Sequence, residues 1–346
     1  MIKRPRARLT NPPQNYFVSE KRGISFVHTG CTLLDLALGG GYPLGRITNI
    51  VGDKSTAKTA LATEALINFI QVHPKGAARY CESEAAYDRD YAAAMGLPVA
   101  LVDFGDGSKP IVTVEDFSRD FDSFLDQQKA SKKPGIYVLD SLDALSDEAE
   151  MEREVGAASY GTAKAKQLSE FFRKSARKQE QAQVLLLVIS QVRDNIGALY
   201  GDKQKRSGGR ALDFYASQVI YLAHLKTVKK TIDKVERAIG IDVRAKIKKN
   251  KVGLPFRECD FTFSFGFGID DAAASILWLS EIGRTKDAGF NVTDTKSYIR
   301  ELSKLSSGEY REECSRLGKV VKQVWAEVET KFLPTRLKYP NEVTSD

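Results

Sequence analysis

The chain has 346 residues, of which 42% are hydrophobic and 28% are charged, as is ordinary for a globular protein. No apolar run approaches the roughly 20 residues that span a bilayer, and the basic N-terminus lacks the apolar stretch of a secretory signal. We therefore expect no membrane partner. Four scattered cysteines show no metal-ligand spacing, which predicts reduced thiols in the cytoplasm. The net charge of +7 suits a polyanionic partner but does not establish one.

Apolar runs alternate with helix-like stretches between residues 30 and 190. Helices are predicted at 58–72, 114–129 and 160–181, and in the second of these Phe117, Phe121 and Phe124 fall on one face. The run at 184–189 is typical of a strand that is buried on both faces. Further strands are predicted at 47–51, 78–81, 99–104 and 136–139. Strands that alternate with helices predict an α/β fold with a mostly parallel central sheet.

The pattern changes after residue 216, where strands predominate at 217–225, 243–249 and 259–265. In the second of these runs, apolar and basic residues alternate, which predicts one buried face. We expect these strands to extend the sheet in antiparallel fashion. The predicted domains are an N-terminal arm suited to oligomerisation, a core, and a small, mostly helical C-terminal module, at 1–29, 30–271 and 272–346.

A phosphate-binding loop is predicted between the strand at 47–51 and the helix at 58–72. The P-loop pattern is Gly, four residues, Gly, Lys and then Ser or Thr, and its backbone N–H groups cradle phosphate oxygens. Lys58 is placed to reach the β- and γ-phosphates, and Thr59 to hold Mg²⁺. Ala57 departs from the pattern because it replaces the second Gly. The predicted loop consists of Gly52, Asp53, Lys54, Ser55, Thr56, Ala57, Lys58 and Thr59.

A second acidic position follows the apolar strand at 136–139. P-loop enzymes place an Asp at such a strand end to orient Mg²⁺ through its water shell, and Asp140 occupies it here. An Asp that starts a turn or caps a helix is also common. The spacing of Asp140 from the P-loop favours the metal role.

Six ordered blocks resemble the RecA family of recombinases over roughly residues 27–270. The missing second P-loop glycine is a feature shared with the phage UvsX branch of this family, so we expect a phage-type recombinase. The blocks lie at 28–31 with 34–41, 82–88 with Tyr91 and 95–96, 140–145, 190–193, 208–217, and 249–251.

The resemblance implies roles for individual residues in a catalytic site that binds ATP and Mg²⁺. Glu84 matches the glutamate that activates water, with Glu82 as the alternative. Tyr91 matches the tyrosine that stacks on adenine. Gln191 matches the glutamine that senses the γ-phosphate, although an ordinary Gln at a strand end would look the same. Lys249 and Lys251 match a pair that reaches the ATP of a neighbouring subunit, and the alternative is solvated surface charge.

Two segments are expected to contact DNA, at 152–166 and 193–210. The second is long, basic and rich in glycine, and such a loop is functional or simply unstructured. Lysine, arginine and backbone N–H groups would bind phosphates, and tyrosines would stack on bases. The candidates are Gly156, Tyr160, Gly161, Lys164, Arg193, Asn195, Tyr200, Lys203, Lys205, Arg206, Gly208, Gly209 and Arg210.

The resemblance implies an ATP-driven recombinase that forms a head-to-tail helical filament on single-stranded DNA. Such a protein pairs that strand with double-stranded DNA and exchanges strands. A cytoplasmic protein of a bacterial cell, encoded by the cell or by a phage, is expected. Two alternatives remain open. One is a nucleotide-binding DNA scaffold with weak hydrolysis, which Ala57 favours. The other is a RecA-like motor for helicase loading or branch migration.

Overall fold

The computed structural model describes residues 23–151, 162–194, 204–206 and 209–333. The strands of this part of the chain are β1 (Phe26–Val27), β2 (Tyr42–Pro43), β3 (Ile47–Gly52), β4 (Ala77–Glu82), β5 (Val102–Asp103), β6 (Gly135–Asp140), β7 (Val184–Asp194), β8 (Gln204–Arg206), β9 (Gln218–Ile232), β10 (Val235–Asn250), β11 (Glu258–Ser264) and β12 (Gly268–Ile269).

The helices alternate with the strands in the first half of the chain and gather at its C-terminal end. They are α1 (Thr32–Leu38), α2 (Lys58–Val72), α3 (Arg89–Ala94), α4 (Val114–Ser131), α5 (Glu148–Met151), α6 (Thr162–Ala182), α7 (Gly209–Tyr215), α8 (Asp271–Glu281), α9 (Thr295–Leu302) and α10 (Ser307–Lys331).

Ten of the described strands form one sheet. Its main order is β12-β11-β10-β9-β3-β7-β6-β4-β5, and β8 pairs with the end of β7. The pairs from β9 through to β5 are parallel, whereas β9 to β12 are joined by antiparallel ladders. The predicted fold class is therefore confirmed.

Helices cover both faces of the sheet. Alternate residues of β7 show why its sequence is continuously apolar: Leu185 and Leu187 pack into the layer formed with α2 and the C-terminal helices, and Leu186 and Val188 pack into the layer formed with α4 and α6. All four side chains are fully buried. Because a strand alternates its side chains between two faces, burial on both faces demands apolar residues throughout.

The C-terminal helices pack onto the same apolar layer as α1 and α2. Leu279 of α8 and Leu317 and Val321 of α10 are fully buried in it. The thiols of Cys31, Cys81 and Cys259 are buried and reduced. No helix in the described ranges combines the length and apolar character needed to cross a membrane.

Two predicted elements differ from those observed. The strand expected at 99–104 is a 3-10 turn, Val99–Leu101, followed by the two-residue edge strand β5. Leu101 is 57% exposed, so apolar composition alone misled the assignment. The strands expected at 217–225 and 243–249 continue into a hairpin that projects beyond the sheet, with both faces exposed from residue 229 to 239.

Candidate functional site

The loop between β3 and α2 has the backbone shape that a P-loop pattern predicts. Ser55 and Ala57 both adopt left-handed conformations, with φ of 54° and 63°. Glycine tolerates such φ values without strain, which is why the pattern favours it at position 57. Gly52 has a different constraint, because a Cβ there would lie 2.4 Å from Thr56 Oγ1. The conformation of the loop is thus retained despite the substitution by Ala57.

Thr59 and Asp140 meet at the carboxyl end of the sheet. The Thr59 hydroxyl donates to Asp140 Oδ2 at 2.8 Å. Burial raises the pKa of Asp140, and this hydrogen bond opposes the rise. The peptide bond between Asp140 and Ser141 is cis. A hydroxyl and a carboxylate are the hard oxygen ligands that Mg²⁺ accepts, usually with water and phosphate completing the shell.

Lys58 extends over the loop and donates to the Asp53 carbonyl at 2.6 Å. Burial lowers the pKa of its ammonium, and the nearby carboxylates of Asp140 and Glu84 counteract that effect. The Asp53 carboxylate accepts from the Lys54 backbone N–H at 2.7 Å. The Asp53 carboxylate is therefore bonded to the backbone of the loop.

Glu84, which follows β4, and Gln191 of β7 are joined across the intervening strand β6 although 107 residues separate them in the chain. Gln191 Nε2 donates to Glu84 Oε1 at 3.1 Å. The Ser141 hydroxyl donates to the same carboxylate oxygen. The Gln191 backbone N–H donates to Asp143 Oδ2 at 2.7 Å, which fixes β7 at the residue that carries the amide side chain. The amide and the carboxylate are thus held together beside the P-loop.

Glu82 has a different function in the structure. Its Oε1 accepts from the backbone N–H groups of Ala86 and Tyr87, the latter at 3.2 Å. These bonds close the loop that follows β4. The geometry therefore favours Glu84 over Glu82 as the carboxylate that faces the nucleotide.

A cleft of about 410 Å³ opens beside the P-loop. Tyr91 lies on its wall, 39% exposed, and its hydroxyl accepts from the Gly266 backbone N–H at 3.0 Å. The apolar walls and the exposed ring suit a planar base. Besides the P-loop, the lining includes Thr63, Tyr87, Met95, Ile241, Phe263 and Phe265.

Lys249 and Lys251 lie away from this cleft. In the sheet, Lys249 pairs with Val219 of β9, and Val219 pairs in turn with Asn49 of β3. Asn49 lies three residues before Gly52, where the P-loop begins. Both ammonium groups donate to the carbonyl of Phe214 at the end of α7, at 3.0 Å for Lys249 and 2.8 Å for Lys251. Within one chain, the lysine pair therefore does not reach the P-loop.

Several candidate DNA-binding residues lie outside the described residues: Gly156, Tyr160, Gly161, Asn195, Tyr200, Lys203 and Gly208. The backbones of Arg193, Lys205 and Arg206 lie in the β7–β8 ladder, and Gly209 and Arg210 begin α7. The Lys164 ammonium bonds within the chain, and its expected DNA contact stays a prediction. Its Nζ donates to the carbonyls of Leu142, at 3.2 Å, and Leu145.

Sequence reasoning missed three side chains that shape the site. Ser141 and Asp143 hold Glu84 and Gln191, as described above. Tyr80, fully buried in β4, donates to Asp140 Oδ2 at 2.6 Å. The resemblance covered the block containing Ser141 and Asp143 without a role for them. Tyr80 carried no motif, because its importance depends on the pairing of β4 with β6.

The fold and this loop define an α/β protein of the P-loop class. A family model described as the RecA N-terminal domain matches residues 17–270. The chain is 34% identical to "Protein RecA" of a Synechococcus strain over 261 residues, covering 75% of this chain and 65% of that protein. It is 36% identical to "Protein RecA" of a Synechocystis strain, over 73% of this chain and 68% of that protein.

A third relative, "Protein RecA" of Arthrospira platensis, is 33% identical over 271 residues, with 78% of this chain and 70% of that protein covered. The chain belongs to the RecA family. These relatives are cyanobacterial, so they give no support to the phage branch that the P-loop departure suggested.

Proposed function

We propose that the chain is an ATP-dependent homologous recombination protein. It assembles head to tail on single-stranded DNA, pairs that strand with homologous double-stranded DNA and exchanges strands, with DNA-stimulated ATP hydrolysis. The observation that carries this proposal is the Gln191–Glu84 hydrogen bond. Gln191 lies in β7, which runs directly toward the 193–210 segment, so one strand links a catalytic carboxylate to a candidate DNA loop.

Each residue of the site has a role in the proposed hydrolysis. The P-loop backbone binds phosphate oxygens, and Lys58 neutralises charge on the transferred group. Glu84 orients the attacking water and accepts its proton, while Gln191 holds the Glu84 carboxylate in place. Tyr91 offers a ring for the base. Thr59 and Asp140 would hold Mg²⁺, which neutralises charge on the phosphates.

The first test compares ATP hydrolysis by the wild-type and Lys58→Ala proteins with and without single-stranded DNA. We expect DNA-stimulated turnover in the wild type and loss of turnover in the variant, which should keep its fold because the Lys58 ammonium bonds to a loop carbonyl. A folded Lys58→Ala protein with wild-type turnover would contradict the P-loop role. Absence of hydrolysis in the wild type would favour the scaffold alternative, which the strained Ala57 supports.

Strand exchange separates a recombinase from a motor for helicase loading or branch migration. A circular single strand and a homologous linear duplex should yield joint molecules only with ATP. DNA affinity should also fall with salt, and neutralising Lys203, Lys205 and Arg206 together should reduce the log–log slope by up to about three. An unchanged slope would mean that these residues do not contact phosphates.

The proposed filament requires a site shared between subunits. Lys249 and Lys251 lie away from their own P-loop, and the proposal assigns them to the nucleotide phosphates of a neighbouring subunit. A head-to-tail interface of this kind extends into an open helix. The three hydrogen bonds from the lysine pair to α7, which begins at the end of the 193–210 segment, must then break when subunits assemble.

Mixing two inactive proteins tests the shared site. Glu84→Ala removes the catalytic carboxylate, and Lys249→Ala/Lys251→Ala removes what a subunit offers its neighbour. Random equal mixing should restore about one interface in four, with partial recovery of hydrolysis. Full activity of the lysine variant alone, or no recovery despite verified co-assembly, would refute the shared site.

A further inference from the structure

The Asp140 carboxylate is held by a residue that the proposed mechanism does not use. Tyr80 lies in β4, which pairs in parallel with β6 so that Tyr80 is opposite Val138 and Glu82 is opposite Asp140. The Tyr80 side chain is fully buried, and its hydroxyl donates to Asp140 Oδ2 at 2.6 Å. A buried phenol that donates to a largely buried carboxylate replaces water that the carboxylate has lost.

Both donors to this carboxylate contact the same oxygen. Thr59 Oγ1 donates to Asp140 Oδ2 at 2.8 Å, alongside Tyr80. Two donors on one oxygen fix the rotation of the carboxylate about its terminal bond. The Thr59 hydroxyl uses only its proton in this contact, so its oxygen retains lone pairs for a metal.

The Tyr80 ring packs within a cluster of tilted aromatic rings. Its centroid lies 4.1 Å from that of Tyr87 and 5.9 Å from that of Phe104. The Arg89 guanidinium lies 4.2 Å above the Phe104 ring, and the Tyr87 hydroxyl is 3.0 Å from Thr63 Oγ1. Because the ring cannot swing within this packing, its hydroxyl has one position, at Asp140.

We propose that Tyr80 is a positioning residue that holds Asp140 in the orientation that binds Mg²⁺ together with the nucleotide. The inference rests on the proposed function, since the metal arrives with ATP. Tyr80 is not among the residues that line the cleft beside the P-loop, so its proposed effect passes through Asp140. Outer-shell partners of this kind typically change metal affinity by about 10- to 100-fold, and the loss of one donor of two places the effect near tenfold.

The test measures how strongly Mg²⁺ tightens nucleotide binding. The dissociation constant of a fluorescent ATP analogue is measured with saturating MgCl₂ and again in EDTA. The value in EDTA divided by the value in MgCl₂ is the factor by which Mg²⁺ tightens nucleotide binding. Tyr80→Phe keeps the ring and removes the donor. We expect its ratio to fall about tenfold, with affinity in EDTA unchanged, because the hydroxyl acts through the metal ligand.

Tyr137→Phe is the matched control. Tyr137 is also a fully buried tyrosine whose hydroxyl donates to an aspartate, Asp120 Oδ2, at 2.7 Å. Asp120, however, forms its ion pair with the Arg79 guanidinium, whereas Asp140 bonds to Thr59 next to the P-loop. The ratio of Tyr137→Phe should equal that of the wild type. Tyr80→4-aminophenylalanine restores an N–H donor at the same ring position and should recover most of the coupling, including if the Phe variant folds poorly.

Three results would contradict either this inference or the proposed function. An unchanged ratio in a folded Tyr80→Phe protein overturns the inference. An equal fall in Tyr137→Phe also overturns it, because a general effect of buried hydroxyls would then explain the loss. Absence of Mg²⁺-dependent tightening in the wild type instead contradicts the nucleotide site of the proposed function.

Discussion

Glu64 is a largely buried carboxyl in the second turn of α2, the helix that begins at the P-loop. Its Oε1 accepts from the Ile269 backbone N–H at 3.0 Å, and the side chain packs so closely that a Cβ on Gly268 would lie 2.3 Å from the same oxygen. Burial raises the pKa of Glu64 to about 7, and the nearby Asp271 carboxylate adds to the rise. Glu64 therefore binds a proton on folding at moderately acidic pH.

The pKa difference sets the size and sign of a stability effect. The folded-state pKa of about 7 lies above the usual value of 4.5, and at about 1.4 kcal/mol per pH unit the difference corresponds to about 3 kcal/mol. Because the folded state holds the extra proton, stability that is present below about pH 4.5 is lost as the pH rises through about 7. The ionised carboxylate thus destabilises the folded state above neutral pH.

Glu64→Gln removes this destabilisation, because the amide is neutral and its oxygen still accepts from the Ile269 backbone N–H. We expect the free energy of unfolding of the variant, relative to wild type, to increase by about 2 kcal/mol between about pH 5 and pH 8. Urea denaturation at several pH values, without nucleotide or DNA, measures it. The exposed Glu312 of α10 supplies the control, Glu312→Gln. A difference between Glu64→Gln and wild type that is constant with pH would refute the reasoning.

Three further outcomes follow from the same structure. Glu84→Gln should slow single-turnover ATP hydrolysis by about 10²- to 10⁴-fold. Glu82→Gln should retain most of the rate, because the Glu82 carboxylate closes a loop, and the opposite result would exchange the roles of the two residues. Ala57→Gly should fold and bind nucleotide at least as tightly, because glycine relieves the left-handed φ of 63°, and loss of binding would reveal a packing role. Phe121→Ala, at a fully buried ring, should lower the urea-derived unfolding free energy by about 3–5 kcal/mol, and a loss below about 1 kcal/mol would contradict the packing.

Local patterns predicted the elements that begin and end with strong sequence signals. The helix expected at 58–72 is α2, in which a loop precedes a run of mostly apolar residues that are buried around most of the helix. The apolar run at 184–189 is the start of β7. In both cases the element is buried and therefore consists of apolar residues, which is the pattern that predicted it. The sequence alone was therefore sufficient to locate these two elements.

The projecting part of the β9–β10 hairpin could not be predicted in the same way. Lys229, Lys230 and Ile232 are exposed, so no buried face imposes an alternating pattern there. The strands pair because the two residues of the turn, Asp233 and Lys234, take left-handed φ values of 50° and 64°. Such a turn fits the twist of a hairpin, but Asp-Lys is a weak signal for it.

The sequence by itself determined the RecA family, the P-loop and the α/β alternation, because these depend on residues close together in the chain. Only the tertiary structure distinguished the surroundings of Glu82 and Glu84, because Glu82 bonds to the backbone of the loop that follows it and Glu84 bonds to Gln191 of β7. It also brought Tyr80 to Asp140 across 60 residues. These contacts arise from strand order and register in the sheet, and no local spacing encodes which strand ends will be neighbours.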